Sequence, residues 1–206
     1  AQAGTQPIRL VVMSDTHSMH GQIPVEAVPH GDILIHCGDF SRKGSAKEVQ
    51  AFNGFMEALP HPLKVLISGN HDVGIFTEFE PAMAAELVPG ARYLNNEFFE
   101  PAERLHGLRI YGSPWERRGN RQIPDGVDVL VTHEPPLGVL DDGRGCEYLM
   151  EEVRLRRPRL HVFGHIHEAS GVEERDGTVF VNAALAGNGM APRILDKPLV
   201  VIDIVP

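Results

Sequence analysis

Apolar runs of strand length recur along the chain and are separated by polar stretches that contain glycine or proline. Several of these runs are continuously apolar, which is typical of strands covered on both faces of a sheet. We therefore predict ten strands, at residues 8–15, 32–39, 62–68, 98–101, 108–113, 127–132, 159–164, 172–175, 179–182 and 198–204.

Helical periodicity is present between some of the predicted strands. Residues 45–59 carry apolar side chains at helical spacing, and Ser45 followed by Glu48 has the pattern of a capping box. A second helix is predicted at residues 145–155, and a weaker pattern covers residues 81–88.

Short turns indicate that antiparallel pairs enter the later part of the chain. Residues 103–107 and 175–177 contain His-Gly and Asp-Gly pairs, which can adopt the positive φ values that tight connections need. Residues 186–197 are rich in glycine and proline and read as one irregular surface loop. With no internal repeat or long linker, residues 1–206 are expected to form a single domain.

Composition narrows the classes of function. The formal net charge of −9 argues against a protein that binds nucleic-acid backbones, because such proteins need a basic face. Two divalent cations would change −9 to −5 overall and could still create a locally positive pocket that attracts phosphate. Cys37 and Cys146 lack any zinc-binding spacing, and Cys37 is expected to be a small buried residue. No apolar stretch reaches the ~20 residues needed to cross a bilayer, so we expect no membrane association and a cytoplasmic protein.

Candidate metal ligands follow five of the apolar runs, at the points where the strands should end. Open α/β sheets place ligands and chemistry at such strand ends. The side chains delivered there are Asp15, His17, Asp39, Asn70, His71, Asp72, His133, His165 and His167.

These residue types suit a metal site. Asp15 and His17 are two residues apart at a strand end and can bind one cation together, although a single pair of this kind is weak evidence. The carboxylate of Asp39 can bridge two metals held about 3.5 to 4 Å apart. Asn70 offers a neutral oxygen, and the later histidines offer imidazoles suited to iron, zinc or manganese. Taken alone, any one of these histidines is more often structural or exposed than a ligand.

The order of the motifs, D-x-H, G-D, G-N-H-D, a single His after a strand and G-H-x-H, resembles the calcineurin-like metallophosphoesterase superfamily. The resemblance extends from Ile8 to about Asp203. Within that superfamily, several stretches look like the fetal-brain metallophosphoesterase-domain proteins: residues 29–32, 59–62, 110–115, 132–138 and 161–168. The resemblance implies an α/β fold, a four-layer α/β/β/α sandwich with two mixed sheets and a dinuclear site at the strand ends.

The resemblance also implies a role for each ligand position. The first metal would be bound by Asp15, His17 and His167, and the second by Asn70, His133 and His165. Asp39 and a hydroxide would bridge the two metals, and the hydroxide would be the nucleophile.

Two neighbouring positions are expected to be catalytic. His71 matches the family's histidine that faces the substrate and can protonate the leaving oxygen. Asp72 would orient His71 from behind. The cofactors are expected to be two divalent ions, and Mn, Fe, Zn or Co all suit such a ligand set.

Three residues are candidates for substrate binding, each with a structural alternative. His20 follows the Asp15 loop and could approach the substrate. Arg42 could bind a phosphate, or it could be a solvated loop charge. Trp115 could stack on a nucleobase, or it could close the core beneath a loop.

Two departures limit how far the resemblance extends. The Asp39 loop lacks the Val-Asp-Arg-Gly continuation of Ser/Thr protein phosphatases, so a protein phosphatase is a poor fit. After Trp115 the chain also lacks a longer insertion of the fetal-brain relatives, so nucleotide specificity transfers less safely than the metal chemistry.

We therefore expect a phosphodiesterase that acts on small, nucleotide-type phosphodiesters, with no stable binding to nucleic acid. The alternatives are a phosphomonoesterase and a catalytically weak nucleotide-binding or scaffold protein on the same fold. The sequence does not specify the oligomeric state.

Overall fold

The fold consists of two β-sheets packed face to face, with a helix on each outer side. The computed structural model describes residues 6–72, 86–100, 105–116, 122–189 and 191–206, and the statements below refer to these residues. Within them there are eleven strands, two α-helices and three short 3-10 turns.

The first sheet has the strand order β11-β1-β2-β3-β4. Strands β1 to β4 run parallel to one another, and β11 pairs with β1 in the antiparallel direction. The strands are β1 (Ile8–Met13), β2 (Ile33–His36), β3 (Leu63–Leu66), β4 (Arg92–Tyr93) and β11 (Val200–Ile204).

The second sheet has the order β5-β6-β7-β8-β10-β9. Its four central strands are parallel, and an antiparallel strand pairs with each edge. The strands are β5 (Glu97–Phe99), β6 (Ile110–Ser113), β7 (Val129–Thr132), β8 (Leu160–Phe163), β9 (Gly171–Arg175) and β10 (Thr178–Asn182).

The continuous apolar character of the central strands has a direct structural cause. In β1, Leu10 and Val12 face the core between the two sheets, whereas Val11 and Met13 face the helix on the outer side. In β7, Val129 and Val131 likewise face the core between the two sheets, and Leu130 faces the helix on the other outer side. Because side chains alternate between faces, both faces must be apolar when both are covered.

Helix α1 (Ala46–Ala58) covers the first sheet and begins as predicted. Ser45 accepts a hydrogen bond from the backbone N–H of Glu48, and the Glu48 side chain accepts one from the backbone N–H of Ser45, which completes a capping box. Helix α2 (Glu147–Arg156) covers the second sheet and ends at Arg157, whose backbone is left-handed.

The predicted four-layer α/β/β/α sandwich with two mixed sheets is confirmed. The turns containing His106 and Asp176 adopt the expected positive φ values of 50° and 52°. Strand β4 was not predicted, and most of the weak helical pattern at residues 81–88 lies outside the described residues. No helix in the described part of the chain is long and apolar enough to span a membrane.

Candidate metal centre

The predicted ligands converge because their strands end at one edge of the sandwich. In the first sheet, β1, β2 and β3 are parallel and lead into the loops that carry Asp15, Asp39 and Asn70. In the second sheet, β7 and β8 are parallel and lead into the loops of His133 and His165. A bridge between Ser14 and Ala184 joins the two sets of loops.

Several ligand residues have left-handed backbones, although they are not glycine. The φ angles are 56° at Asp15, 41° at His17, 55° at Asp39 and 69° at His165. Such conformations cost free energy, persist only where surrounding contacts impose them, and cluster at functional sites. Here the N–H of Asp15 donates to Gly38 O at 3.0 Å, and the N–H of His17 donates to Asp39 O at 2.9 Å.

Asp15, His17 and His167 form a first group of potential metal ligands, all buried. His167 Nε2 lies 3.3 Å from Asp15 Oδ1, and His17 Nε2 lies 3.2 Å from His167 Nε2. The potential ligand atoms lie within 4.8 Å of one another, so a single cation could contact them together.

Asp39, His133 and His165 form a second group, again with ligand atoms within 4.8 Å of one another. His133 Nε2 lies 3.4 Å from Asp39 Oδ2 and 3.0 Å from Asn70 Oδ1. Asp39 Oδ2 also lies 3.8 Å from His17 Nε2, so this one carboxylate faces both groups. Carboxylate, amide and imidazole donors in this arrangement fit a pair of divalent transition ions.

Backbone carbonyls orient two of the histidines. His133 Nδ1 donates to Cys37 O at 2.8 Å, and His167 Nδ1 donates to Gly187 O at 3.1 Å. Because a carbonyl can only accept, the neutral form of each ring, which is the form that binds a metal, would carry its proton on Nδ1 and present the Nε2 lone pair to the centre. Metal-binding histidines are commonly held in this way.

The local electrostatics keep the two carboxylates ionised. Burial opposes ionisation of Asp15, but its hydrogen bond with His167 lowers the pKa of this carboxyl. Burial likewise opposes ionisation of Asp39, but the charge of His133 lowers its pKa. Burial lowers the pKa of His133, but the Asp39 carboxylate, together with Asp15 and the carbonyl of Cys37, raises it to about 10. Burial lowers the pKa of His17, and burial together with the charge of His133 lowers that of His165 to about 4.

Two glycines allow the loops to approach closely. A Cβ atom at Gly69 would clash with the Asp39 carboxylate and its backbone nitrogen. A Cβ atom at Gly164 would clash with the side chains of Asp15 and Ser14. The glycines that precede Asn70 and His165 in the two motifs are therefore required by space.

His71 lies beside the first group of ligands. Its ring centroid is 4.8 Å from that of His17, and its Nδ1 donates to Arg42 O at 3.0 Å. Its backbone N–H donates to Asp39 Oδ1 at 2.8 Å. These contacts place His71 at the candidate metal centre and leave Nε2 as the ring nitrogen that faces away from Arg42 O.

The expectation that Asp72 orients His71 is wrong, because the Asp72 side chain has other partners. Its carboxylate accepts hydrogen bonds from the N–H of Asp39 at 2.7 Å, the N–H of Gly69 at 2.9 Å, and both the N–H and hydroxyl of Ser41. Burial and the nearby Asp39 charge raise the pKa of Asp72. Asp72 therefore holds the Asp39 loop in place, and the carbonyl of Arg42 orients His71.

The structure places His20 away from the cleft. Its side chain is buried, with 7% of the residue exposed, and its ring packs against Phe52 and Phe55 of α1 at centroid distances of 5.6 and 5.4 Å. The prediction that His20 contacts the substrate is therefore wrong. The chain turns into a 3-10 segment at this residue, which directs the ring toward the helix.

The other two candidates for substrate binding, Arg42 and Trp115, lie in loops near the potential ligands. The Arg42 guanidinium donates to His17 O and to Pro192 O, each at 3.0 Å, and so connects two loops. Trp115 is half-buried and its backbone N–H donates to Ser68 O at 3.0 Å, close to the Asn70 loop. Substrate contact by either side chain stays a prediction.

The cleft over the metal centre has a volume of about 420 Å³ and includes residues that the sequence motifs did not indicate. Arg144 lines it and donates to Glu168 Oε2 at 2.8 Å and to Asp142 Oδ2 at 3.0 Å. Gly189 also lines the cleft, and its N–H donates to Glu168 Oε1 at 3.0 Å. In the sequence, only the position of Glu168 directly after His167 indicated this part of the cleft.

Comparison with known proteins agrees with the geometry of the site. Residues 8–196 match the family described as "Calcineurin-like phosphoesterase superfamily domain". Proteins from Homo sapiens and Mus musculus, both called "Metallophosphoesterase domain-containing protein 1", are 37% identical to this chain over 236 residues, covering 95% of this chain and 71% of each relative. The crystal structure of TT1561 of Thermus thermophilus has a similar fold, with a TM-score of 0.60 and 13% identity, and the match covers 85% of this chain and 88% of that chain.

Proposed function

The chain belongs to the calcineurin-like phosphoesterase superfamily, and from that premise we propose that it is a two-metal phosphodiesterase acting on small, nucleotide-type phosphodiesters. One observation carries the proposal. Two groups of buried or half-buried potential ligands meet in a single cleft, and the Asp39 carboxylate faces both of them. A shared carboxylate of this kind is what a pair of adjacent cations needs.

Each side chain has a distinct role in the proposed centre. Asp15, His17 and His167 would bind one cation, Asn70, His133 and His165 would bind the other, and Asp39 would bridge them. When bound, two divalent cations lower the pKa of a water and polarise the phosphoryl oxygens. The chain supplies ionised carboxylates and histidines whose Nε2 atoms already face inward.

His71 is proposed to deliver a proton to the leaving oxygen. Its Nδ1 is fixed on Arg42 O, so its Nε2 is the atom that would exchange the proton. An alkoxide leaving group needs such a proton because it is a strong base, whereas a nitrophenolate is stable without one. The role of His71 therefore depends on the ester that is cleaved.

The cleft is large enough for a small ester but does not identify which ester binds there. Its volume of about 420 Å³ is within the range of small-molecule sites. The net charge of −9 would become −5 with two divalent cations bound, and these positive charges would lie where the phosphate binds. We also propose that the enzyme is cytoplasmic, acts on small molecules and binds neither membranes nor nucleic acid.

Turnover of bis(p-nitrophenyl) phosphate and of p-nitrophenyl phosphate by the same metal-loaded preparation tests the proposal. A diesterase should hydrolyse the diester faster than the monoester, and a chelator should abolish both activities. Faster turnover of the monoester would favour a phosphomonoesterase. Binding of a nucleotide by metal-loaded protein that hydrolyses neither ester would favour the scaffold alternative.

A further inference from the structure

His36 is a fully buried histidine that the proposed chemistry does not use. It is the last residue of β2, and its ring packs against Phe40 and Phe52 with centroids 6.2 and 5.0 Å apart. Its Nδ1 accepts the backbone N–H of Gly38 at 3.3 Å, so the neutral ring must carry its proton on Nε2. That nitrogen lies 3.1 Å from Thr16 Oγ1, and the ring therefore donates to the hydroxyl.

Thr16 is the residue that joins two proposed ligands of the first metal. It is fully buried between Asp15 and His17, which both have left-handed backbones. A residue flanked by two such conformations needs an external anchor, because the loop would otherwise relax toward ordinary φ values. The hydrogen bond from His36 supplies this anchor from a neighbouring strand.

The second sheet repeats this arrangement with a different pair of residues. His161 in β8 is also fully buried, and its ring packs against Phe163 and Phe180 with centroids 4.9 and 5.8 Å apart. Its Nε2 lies 2.9 Å from the hydroxyl of Thr132, the residue before His133.

The direction of this second hydrogen bond follows from the hydroxyl. Thr132 Oγ1 donates its only proton to Glu134 O at 2.7 Å, so His161 Nε2 must be the donor to Thr132. The hydroxyl therefore closes the loop around His133, and His161 holds the hydroxyl.

A purely structural role does not explain why both positions are polar. Each ring lies among aromatic side chains, where phenylalanine would pack without the cost of burying polar nitrogens. Each ring instead reaches a hydroxyl that is adjacent in sequence to a proposed ligand. Partners that orient metal ligands in this way affect metal affinity without touching the metal.

We propose that His36 and His161 are positioning residues for the two metals, in which each ring donates Nε2–H to a threonine beside the ligands and so fixes their direction before metal binds. His36 would act on the first metal through Thr16, and His161 on the second through Thr132. The inference rests on the proposed two-metal site.

Manganese titration of chelator-treated protein tests the inference without measuring activity. Two backgrounds separate the metals: His165→Ala disables the second site, and His17→Ala disables the first. In the first background Thr16→Val should weaken Mn²⁺ binding by about 10- to 100-fold, as expected for partners that orient ligands, while Thr132→Val should leave it unchanged. In the second background the two substitutions should exchange their effects. The threonine variants are used to distinguish the two sites. Replacing His36 would also remove its contact with Gly38, next to Asp39, and Asp39 is shared by both sites.

Double-variant cycles identify the histidines as the partners of the threonines. His36→Phe combined with Thr16→Val should be no weaker in Mn²⁺ affinity than the worse of the two single variants, because both remove the same hydrogen bond between His36 Nε2 and Thr16 Oγ1. In the crossed pair, His36→Phe with Thr132→Val, each metal site should be weakened only by the factor of its own single variant, since these residues act on different sites. The matched comparison uses His161→Phe, with Thr132→Val as the contacting pair and Thr16→Val as the crossed pair.

Rescue and folding controls keep each outcome informative. Thr16→Ser and Thr132→Ser retain the hydroxyl and should retain wild-type affinity. Thermal unfolding of the metal-free variants checks that they fold, and if a phenylalanine variant does not, the valine and serine pairs still decide. Equal effects on both sites, multiplicative effects in the contacting pairs, or unchanged affinity in folded valine variants would overturn the inference. Failure of the wild-type protein to bind two Mn²⁺ ions would instead overturn the proposed function.

Discussion

At the scale of single residues, the adjacent side chains of Asn70 and His71 lie beside different groups of potential ligands. Asn70 Oδ1 lies 3.0 Å from His133 Nε2, in the second group of ligands. The next residue, His71, packs beside His17 of the first group and is oriented by a backbone carbonyl. One turn thus carries a proposed metal ligand and a candidate proton donor, and the two roles are separable by substitution.

The role of His71 predicts an effect on turnover rather than on metal content. His71→Ala should leave two metals bound while kcat for the diester falls by about two to four orders of magnitude, as expected on losing a positioned acid. The loss should be larger for an alkyl ester than for a nitrophenyl ester, because only the alkoxide needs a proton to leave. Equal losses for both esters would leave only electrostatic stabilisation, and loss of a metal would make His71 a ligand.

Asn70→Ala should weaken one metal selectively. The substitution removes a neutral ligand but leaves Asp39, His133 and His165 in their group, so excess Mn²⁺ should restore much of the rate. We would measure rate against Mn²⁺ concentration for the variant and the wild-type protein. If occupancy is already complete and the rate stays low, Asn70 has a role other than binding metal.

At the residue level, the motifs indicated potential ligands that lie together in the structure, but they did not predict side-chain direction in the loops. The motifs indicated each residue that the structure brings together at the centre. They did not reveal that His20 turns onto α1, nor that Arg144 reaches the cleft from a loop anchored by Asp141. Side-chain direction after a strand end depends on turn geometry and tertiary contacts, which no local pattern encodes.

At the scale of elements, helix α1 is joined through Glu48 to the loops that follow His17 and Asp39. One carboxylate oxygen accepts from Ser45 and completes the capping box, and the other accepts from Ser18 Oγ at 2.9 Å and from Arg42 N at 3.0 Å. Burial opposes ionisation of Glu48, but its hydrogen bonds, with those to Ser45 the largest, lower its pKa from 4.5 to about 2. The start of the helix therefore holds both Ser18, which follows His17, and Arg42, whose carbonyl accepts from His71.

Glu48→Gln should destabilise the protein by about 1 kcal/mol at neutral pH, because the amide keeps one oxygen for Ser45 but its NH2 group cannot accept from Ser18 and Arg42. Because folding lowers the pKa of Glu48, its contribution is complete above pH 4.5 and is lost as the pH falls toward 2. Urea unfolding across this range should therefore show the two proteins converging at low pH. A difference that grows as the pH falls would contradict the assignment. Glu147→Gln, in the first turn of α2, is a matched control from the other helix.

Most elements were predictable, and the exceptions have physical causes. The ten predicted strands all occur, and the central ones, such as β2 and β7, are mostly apolar because both of their faces are buried. The two residues of β4 are too few to show periodicity, and their pairing with β3 depends on the tertiary fold. Helix α1 was clear from its capping box, and α2 from its spacing.

At the scale of the whole molecule, the proposed metal centre is divided between the two sheets. The first sheet supplies Asp15, His17, Asp39 and Asn70, and the second supplies His133, His165 and His167. Neither sheet carries a complete set for either metal. Bound metal should therefore hold the two sheets together and raise the midpoint of thermal unfolding, which calorimetry with and without a chelator can measure.

The central claim, that two cations share Asp39 and are required for hydrolysis, is tested most directly by titrating metal-free protein with Mn²⁺. Bound metal and turnover of bis(p-nitrophenyl) phosphate are measured in the same samples. The account predicts that activity follows occupancy of two ions per chain and that Asp39→Ala, which removes a ligand from both, abolishes it. Full activity in metal-free protein, or in Asp39→Ala protein with no metal bound, would contradict the account.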